Sequence, residues 1–124
     1  MLKNTVPAPD VIVDFVFEDG LFFLAVTNIG PEPAERVRIA FDPPFKGLGG
    51  VSIPDLPLFR NIEFLAPGRS IRTLLDSAAA YFARSEPERI TVNLSFVDRA
   101  GRNYKSAISH DLAIYRDLAF VPKK

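Results

Sequence analysis

The 124-residue chain has no cysteine. A disulfide framework, a thiolate nucleophile and a cysteine-based zinc site are therefore excluded, and the absence is compatible with a reducing cytoplasm. His110 is the one histidine, which leaves little for hydrolytic triads or first-row metal centres that draw on that residue. An excess of one charge is lacking too: fifteen basic and fifteen acidic residues give a formal net charge of zero. The long-range field that a nucleic-acid binder uses is thus missing, and no Lys/Arg cluster along the sequence restores it. The same neutrality weakens protection against self-association. No apolar run reaches the roughly eighteen residues of a membrane-spanning helix. The first residues, MLKNTVPAPD, carry one lysine and no apolar stretch, so they do not read as a secretory signal.

What the chain does contain is apolar and aromatic: 48% hydrophobic residues, including eleven phenylalanines, enough for one domain with a sizeable core. Its organising stretch is residues 11–30, VIVDFVFEDGLFFLAVTNIG. Val11, Val13, Phe15 and Phe17 fall on one face of a first strand, and Phe22, Leu24 and Val26 on one face of a second. A period of two marks a strand with one buried face. Asp19-Gly20 between the runs is a strong hairpin signal, because both residues tolerate positive φ.

Further along, Val37, Ile39 and Phe41 point inward from a third strand, with Arg36, Arg38 and Ala40 outward. Residues 42–60, DPPFKGLGGVSIPDLPLFR, hold four prolines and three glycines and read as a long, unusually apolar loop. A short fourth strand over residues 61–65 places Ile62 and Phe64 on one face. A fifth strand begins at Ser70, and Asp76 or Ser77 then caps a short helix anchored by Tyr81 and Phe82. The sixth strand turns Ile90, Val92, Leu94 and Phe96 inward and Thr91, Asn93 and Ser95 outward. The seventh runs from Tyr104 to about Tyr115, with Tyr104, Ile108, Leu112 and Ile114 at even positions. Residues 1–9 form a mobile lead-in, residues 10–118 the single domain, and residues 119–124 a tail in which Phe120 and Val121 tuck against the domain alongside Leu118. Seven short strands with one helix between the fifth and sixth predict an all-β, immunoglobulin-like antiparallel sandwich.

The pattern of these residues resembles the bacterial and archaeal immunoglobulin-like accessory modules of the CARDB kind. The resemblance is carried by LFFLAVTNIG with its Asn28-x-Gly30 turn, by Pro33-Ala34 leading into ERVRIAF, by FLAPG at residues 64–68, and by the hairpin FVDRAGRNY. It implies a non-catalytic binding or spacer module.

Signals for chemistry are sparse. Ser109 and Asp111 flank His110, but neighbours on a strand point to opposite faces, so both cannot meet its ring. His110 therefore reads as a rim histidine with a local hydrogen bond, and a small hydrolase built on it is a remote alternative. No D-x-D calcium run occurs. Gly47-Leu48-Gly49-Gly50 lacks the Lys-Ser/Thr of a phosphate loop. No catalytic, cofactor-binding or metal-ligating residue is assigned.

Three surfaces remain as candidates for partners. If the loop's apolar side chains fold onto the sandwich they are core; if Phe45, Leu48, Leu56, Leu58 and Phe59 stay exposed they form a protein interface or a self-association patch. The outward residues of strands three, six and seven, with Arg36, Arg38 and Asn93 at the centre, form a polar face for a glycan or an acidic peptide. The first strand has Asp14 alone as a charge breaker, so its edge could pair with a second copy or a ligand strand. The expected function is a non-enzymatic protein-interaction or structural module, with carbohydrate binding or adhesion through the polar face as the alternative.

Overall fold

The structure, a computed structural model, describes residues 6–119. Its first stretch folds as the hairpin β1 (Val11–Glu18) and β2 (Leu21–Asn28), paired in unbroken register from Val11 opposite Asn28 to Glu18 opposite Leu21. Asp19 and Gly20 close it with φ of 52° and 77°, the pair of positive values that matches the twist of the flanking strands.

The remaining strands are β3 (Ala34–Asp42), β4 (Ile62–Leu65), β5 (Ser70–Ser77), β6 (Arg89–Val97) and β7 (Asn103–Asp111). They form two antiparallel sheets, ordered β1-β2-β5 and β4-β3-β6-β7. This is the immunoglobulin-like sandwich that the alternation indicates, with β4 joined to β3 so that the sheets have three and four strands. Its core is the inward sets already named: Val11, Val13, Phe15, Phe22, Leu24 and Val26 from one sheet face Val37, Ile39, Phe41, Ile90, Val92, Leu94 and Phe96 from the other, all buried. Each such side chain contributes about 1.5–3 kcal/mol on leaving water.

Between β3 and β4 the proline-rich stretch is folded, with α1 (Pro57–Arg60) at its end. Phe45, Ile53 and Phe59 are buried. Phe41 meets Phe45 and Phe59 edge-on, at 5.3 and 4.9 Å between ring centres. Lys46 is held by both backbone groups, its N–H donating to Glu86 and its carbonyl accepting from Arg84, each at 2.9 Å. At Gly47 a Cβ would stand 2.4 Å from the carbonyl oxygen of Leu75, so only glycine lets the loop approach that closely. The stretch is a packed end cap of the sandwich.

Helix α2 (Ala78–Ala83) follows β5, capped by Ser77, whose hydroxyl accepts from Ala80 N–H at 3.1 Å. It buries Tyr81 and Phe82, and Arg84 just beyond it pairs with the buried carboxylate of Asp76.

Asn28 joins the turns at one end of the sandwich. Fully buried, its Oδ1 accepts from Asp10 and Gly30 N–H at 3.1 and 3.0 Å, and its Nδ2 donates to the carbonyls of Glu32 and Leu65 at 2.8 and 3.1 Å. Its backbone carbonyl accepts from Gly68 N–H at 2.7 Å. The Asn28-x-Gly30 and Ala66-Pro67-Gly68 turns thus meet on one side chain. Gly30 packs against the backbone of residues 8–10, and Pro9 is buried there.

Three local expectations are corrected. Phe64 is 48% exposed and Leu65 is buried in its place. The cause lies in β3, which takes three steps from Glu35 to Arg38 while β6 takes two from Val97 to Ser95. Ala34 and Val37 both face inward as a result, and their partners opposite, Leu65 and Ile62, follow. Strand β7 ends at Asp111, whose side chain accepts from Ala113 N–H at 3.0 Å and starts the 3-10 turn Leu112–Tyr115. Ile114 is then exposed rather than inward, and α3 (Arg116–Ala119) ends the described chain with Leu118 half in solvent. Phe120 and Val121 lie outside the described residues.

Candidate functional site

The outward side chains of β3, β6 and β7 stand in rows fixed by strand register. Arg38 lies opposite Ser95, and Ser95 opposite Lys105; one step along, Ala40, Asn93 and Ala107 form the next row. Strands about 4.8 Å apart place the bases of Arg38 and Lys105 about 10 Å from each other across small side chains. The bulge in β3 holds Arg36 at a φ of 49°, a left-handed conformation that costs a non-glycine residue about 1–3 kcal/mol. Arg36 and Arg38, two residues apart, share the outward face.

Two contiguous depressions of about 340 and 460 Å³ follow this face. Arg36, Asn103 and Tyr104 line the first, Arg60, Ala40 and Asn93 the second, and both share Arg38, Ser95 and Lys105. Together they form a groove along β6 with arginines on the β3 bank and Lys105 on the β7 bank. Among the described residues, Arg36, Arg38, Arg60 and Lys105 have no carboxylate within ion-pair distance, as is also true of Lys46 and Arg69 outside the groove, whereas Arg72, Arg84, Arg89, Arg99, Arg102 and Arg116 each have at least one. The face is polarised along its length, since the exposed Asp42 lies at its far end, with Asp111 paired to Arg89 at 3.4 Å.

The hairpin between β6 and β7 closes the cationic end. Asp98, 6% exposed, accepts from the N–H groups of Ala100 and Arg102, from Arg102 Nε at 2.7 Å and from the Tyr104 hydroxyl at 2.9 Å. Desolvation pushes its pKa up, but the bonds from the Arg102 backbone, the Arg102 side chain and Tyr104 outweigh it and hold the carboxyl down at about 2. Tyr104 also stacks on Phe96 at 5.5 Å. These contacts tie the hairpin at the end of the groove.

The structure brings Arg36, Arg38 and Asn93 together on one face, beside Ser95 and Lys105. It divides the loop residues: Phe45 and Phe59 are core, Leu56 and Leu58 are half-buried against it, and Leu48 is 59% exposed next to Val51. The apolar patch of five residues does not form, because the aromatic rings are taken up by Phe41. His110 is half-buried at the sandwich rim, with Nε2 2.8 Å from the Val13 carbonyl oxygen. Ser109 faces Thr91 at 3.4 Å, and Asp111 caps Ala113, so the three neighbours do not converge. Arg60 is the groove residue that sequence reasoning passed over. It sits at the end of a helix of four residues inside what reads as loop.

Among the described residues no helix is long and apolar enough to cross a membrane. Fold and site together define an immunoglobulin-like sandwich with a cationic groove on the outward face of its larger sheet. The chain belongs to the family described as a domain of unknown function, DUF8453, which matches residues 2–116. No curated protein and no solved structure matches the chain.

Proposed function

We propose that the protein is a non-enzymatic accessory module that binds a partner protein, and that an extended acidic segment of that partner lies in the groove along β6. The observation that carries this reading is the gathering of Arg36, Arg38, Arg60 and Lys105, none with an acidic partner among the described residues, in a chain whose net charge is zero. Like charges on one face repel, and a ligand of opposite sign relieves that repulsion. An extended peptide presents alternate side chains to opposite sides at a repeat of roughly 6.7 Å. Acidic side chains at that repeat meet Arg36 and Arg38 on one bank and Lys105 on the other, while Asn93 and Ser95 offer hydrogen bonds from the floor. The resemblance to CARDB-like modules is in keeping with a binding role.

The test is binding of a labelled oligo-glutamate peptide at low and at physiological ionic strength. Reversing Arg38 and Lys105 together to Glu is expected to weaken binding on the order of 30-fold, since each exposed pair contributes up to about 1 kcal/mol and reversal adds repulsion. Arg69→Glu, exposed and outside the groove, is expected to change little. Equal effects of the two variants would overturn the reading, and tight binding of polygalacturonate with the peptide ignored would replace it by an acidic glycan site.

A further inference from the structure

The opposite outer face of the molecule has a different character. On the three-stranded sheet the outward rows are Asp14–Ala25–Arg72 and Val16–Phe23–Leu74, each spanning β1, β2 and β5. Leu21 and Leu74 are 36% and 41% exposed, and Val16 and Phe23 are half-buried. The Arg72 guanidinium stands over the Phe23 ring, 4.2 Å from its centre, and reaches Glu18 at 2.8 Å. Asp14 is exposed and has no hydrogen-bond or ion-pair partner among the described residues. An apolar centre with charges at its two edges is the layout of a protein interface.

We propose that this face docks a second copy of the chain, face to face, about a two-fold axis running along β2. The face is self-complementary. Such an axis exchanges β1 with β5 of the partner copy and keeps every row at its own level. Each Asp14 then faces an Arg72, each Val16 faces a Leu74, and the two Phe23, each beside its own Arg72, lie at one level. Ala25, small and 7% exposed, meets its own copy and lets the sheets approach. The operation is isologous and closes at two copies, and the strands stay aligned as packed sheets prefer. Acidic residues lie on β1 (Asp14, Glu18) and the basic residue on β5 (Arg72), so the exchange brings opposite signs together.

The face measures about 15 Å by 25 Å from strand spacing and rise, short of the roughly 800 Å² per partner of a standard stable interface. The dimer is therefore reversible and concentration-dependent. It leaves the two cationic grooves on opposite outer surfaces, which makes the dimer bivalent for a partner carrying repeated acidic segments. The dimer itself does not depend on what the groove binds.

Sedimentation equilibrium or light scattering across a concentration series reads it. The mass is expected to rise from 13.8 kDa toward twice that value. Asp14→Arg and Arg72→Asp are each expected to weaken dimerisation about tenfold, and the double exchange to restore it. Leu74→Lys, which breaks no ion pair, is expected to weaken it likewise. A chain that stays at 13.8 kDa throughout, a dimer indifferent to these variants, or a loss not repaired by the double exchange would overturn the proposal.

Discussion

His110 and Val13 tie the rims of the two sheets together, the imidazole Nε2 on β7 standing 2.8 Å from the carbonyl oxygen on β1. The ring also meets Phe15 edge-on at 5.0 Å. β1 is an edge strand, and a carbonyl that would receive an added strand is already engaged. One histidine thus blunts an edge that otherwise carries little protection. His110→Ala is expected to cost about 1–3 kcal/mol, the range for a hydrogen-bond partner removed from a partly buried group. It should also make the chain more prone to strand-mediated aggregation. Urea unfolding checks the first effect, and turbidity on prolonged incubation the second.

Asn28 ties four backbone groups together at one end of the sandwich. Removing its amide leaves two N–H groups and two carbonyls without partners at a buried junction. Asn28→Ala is expected to cost about 3–5 kcal/mol. Asn28→Asp keeps the acceptor but sets a carboxylate against the Glu32 and Leu65 carbonyls, so it is expected to be at least as damaging. Thermal unfolding of the two variants beside the parent decides this, and a loss confined to a few tenths of a kcal/mol would remove Asn28 from this role.

Asp98 gives the protein a specific acid sensitivity. Its pKa falls from an ordinary 3.8 to about 2 in the fold. A carboxyl depressed in this way stabilises the native state fully above the unfolded value, and that contribution is lost as pH falls through about 2. Asp98→Asn is expected to lower stability at neutral pH, and the gap to the parent should narrow between pH 3.8 and about 2. Chemical denaturation at several pH values reads the convergence. A constant gap would mean that the charge of Asp98 is not what the hairpin uses.

The end-cap loop separates into core and surface at the level of single residues. Phe45→Ala and Phe59→Ala are each expected to cost about 3–5 kcal/mol, as for buried aromatic rings elsewhere. Leu48→Ser, at an exposed position, is expected to stay within about 0.5 kcal/mol. Unfolding curves distinguish this from an interface role, in which the three would alter association and leave stability alike.

Much of the sandwich is legible in the sequence because alternation, turn chemistry and capping agree. The β1–β2 register, the positive φ at Asp19 and Gly20, the inward sets of β3 and β6 and a helix cap at Asp76 or Ser77 all follow from local rules. Less visible is whatever depends on a partner strand. The bulge at Arg36 has no glycine to announce it, and opposite it Phe64 turns out and Leu65 in. The end of β7 is set by an aspartate cap at Asp111 that competes with a continuing apolar pattern. The polar face, with Arg36 and Arg38 on it and an acidic peptide as a ligand it suits, is readable from the outward residues of three neighbouring strands. Arg60 is not readable, because it reaches the face from α1, a four-residue helix inside a stretch that reads as loop.

The most direct measurement is amide chemical-shift mapping of the isotope-labelled protein titrated with an oligo-glutamate peptide at low ionic strength. Shifts concentrated at Arg36, Arg38, Asn93, Ser95 and Lys105, and fading as salt is added, are the expected result. Shifts confined to β1, β2 and β5, or none at all, would contradict the groove as the binding surface.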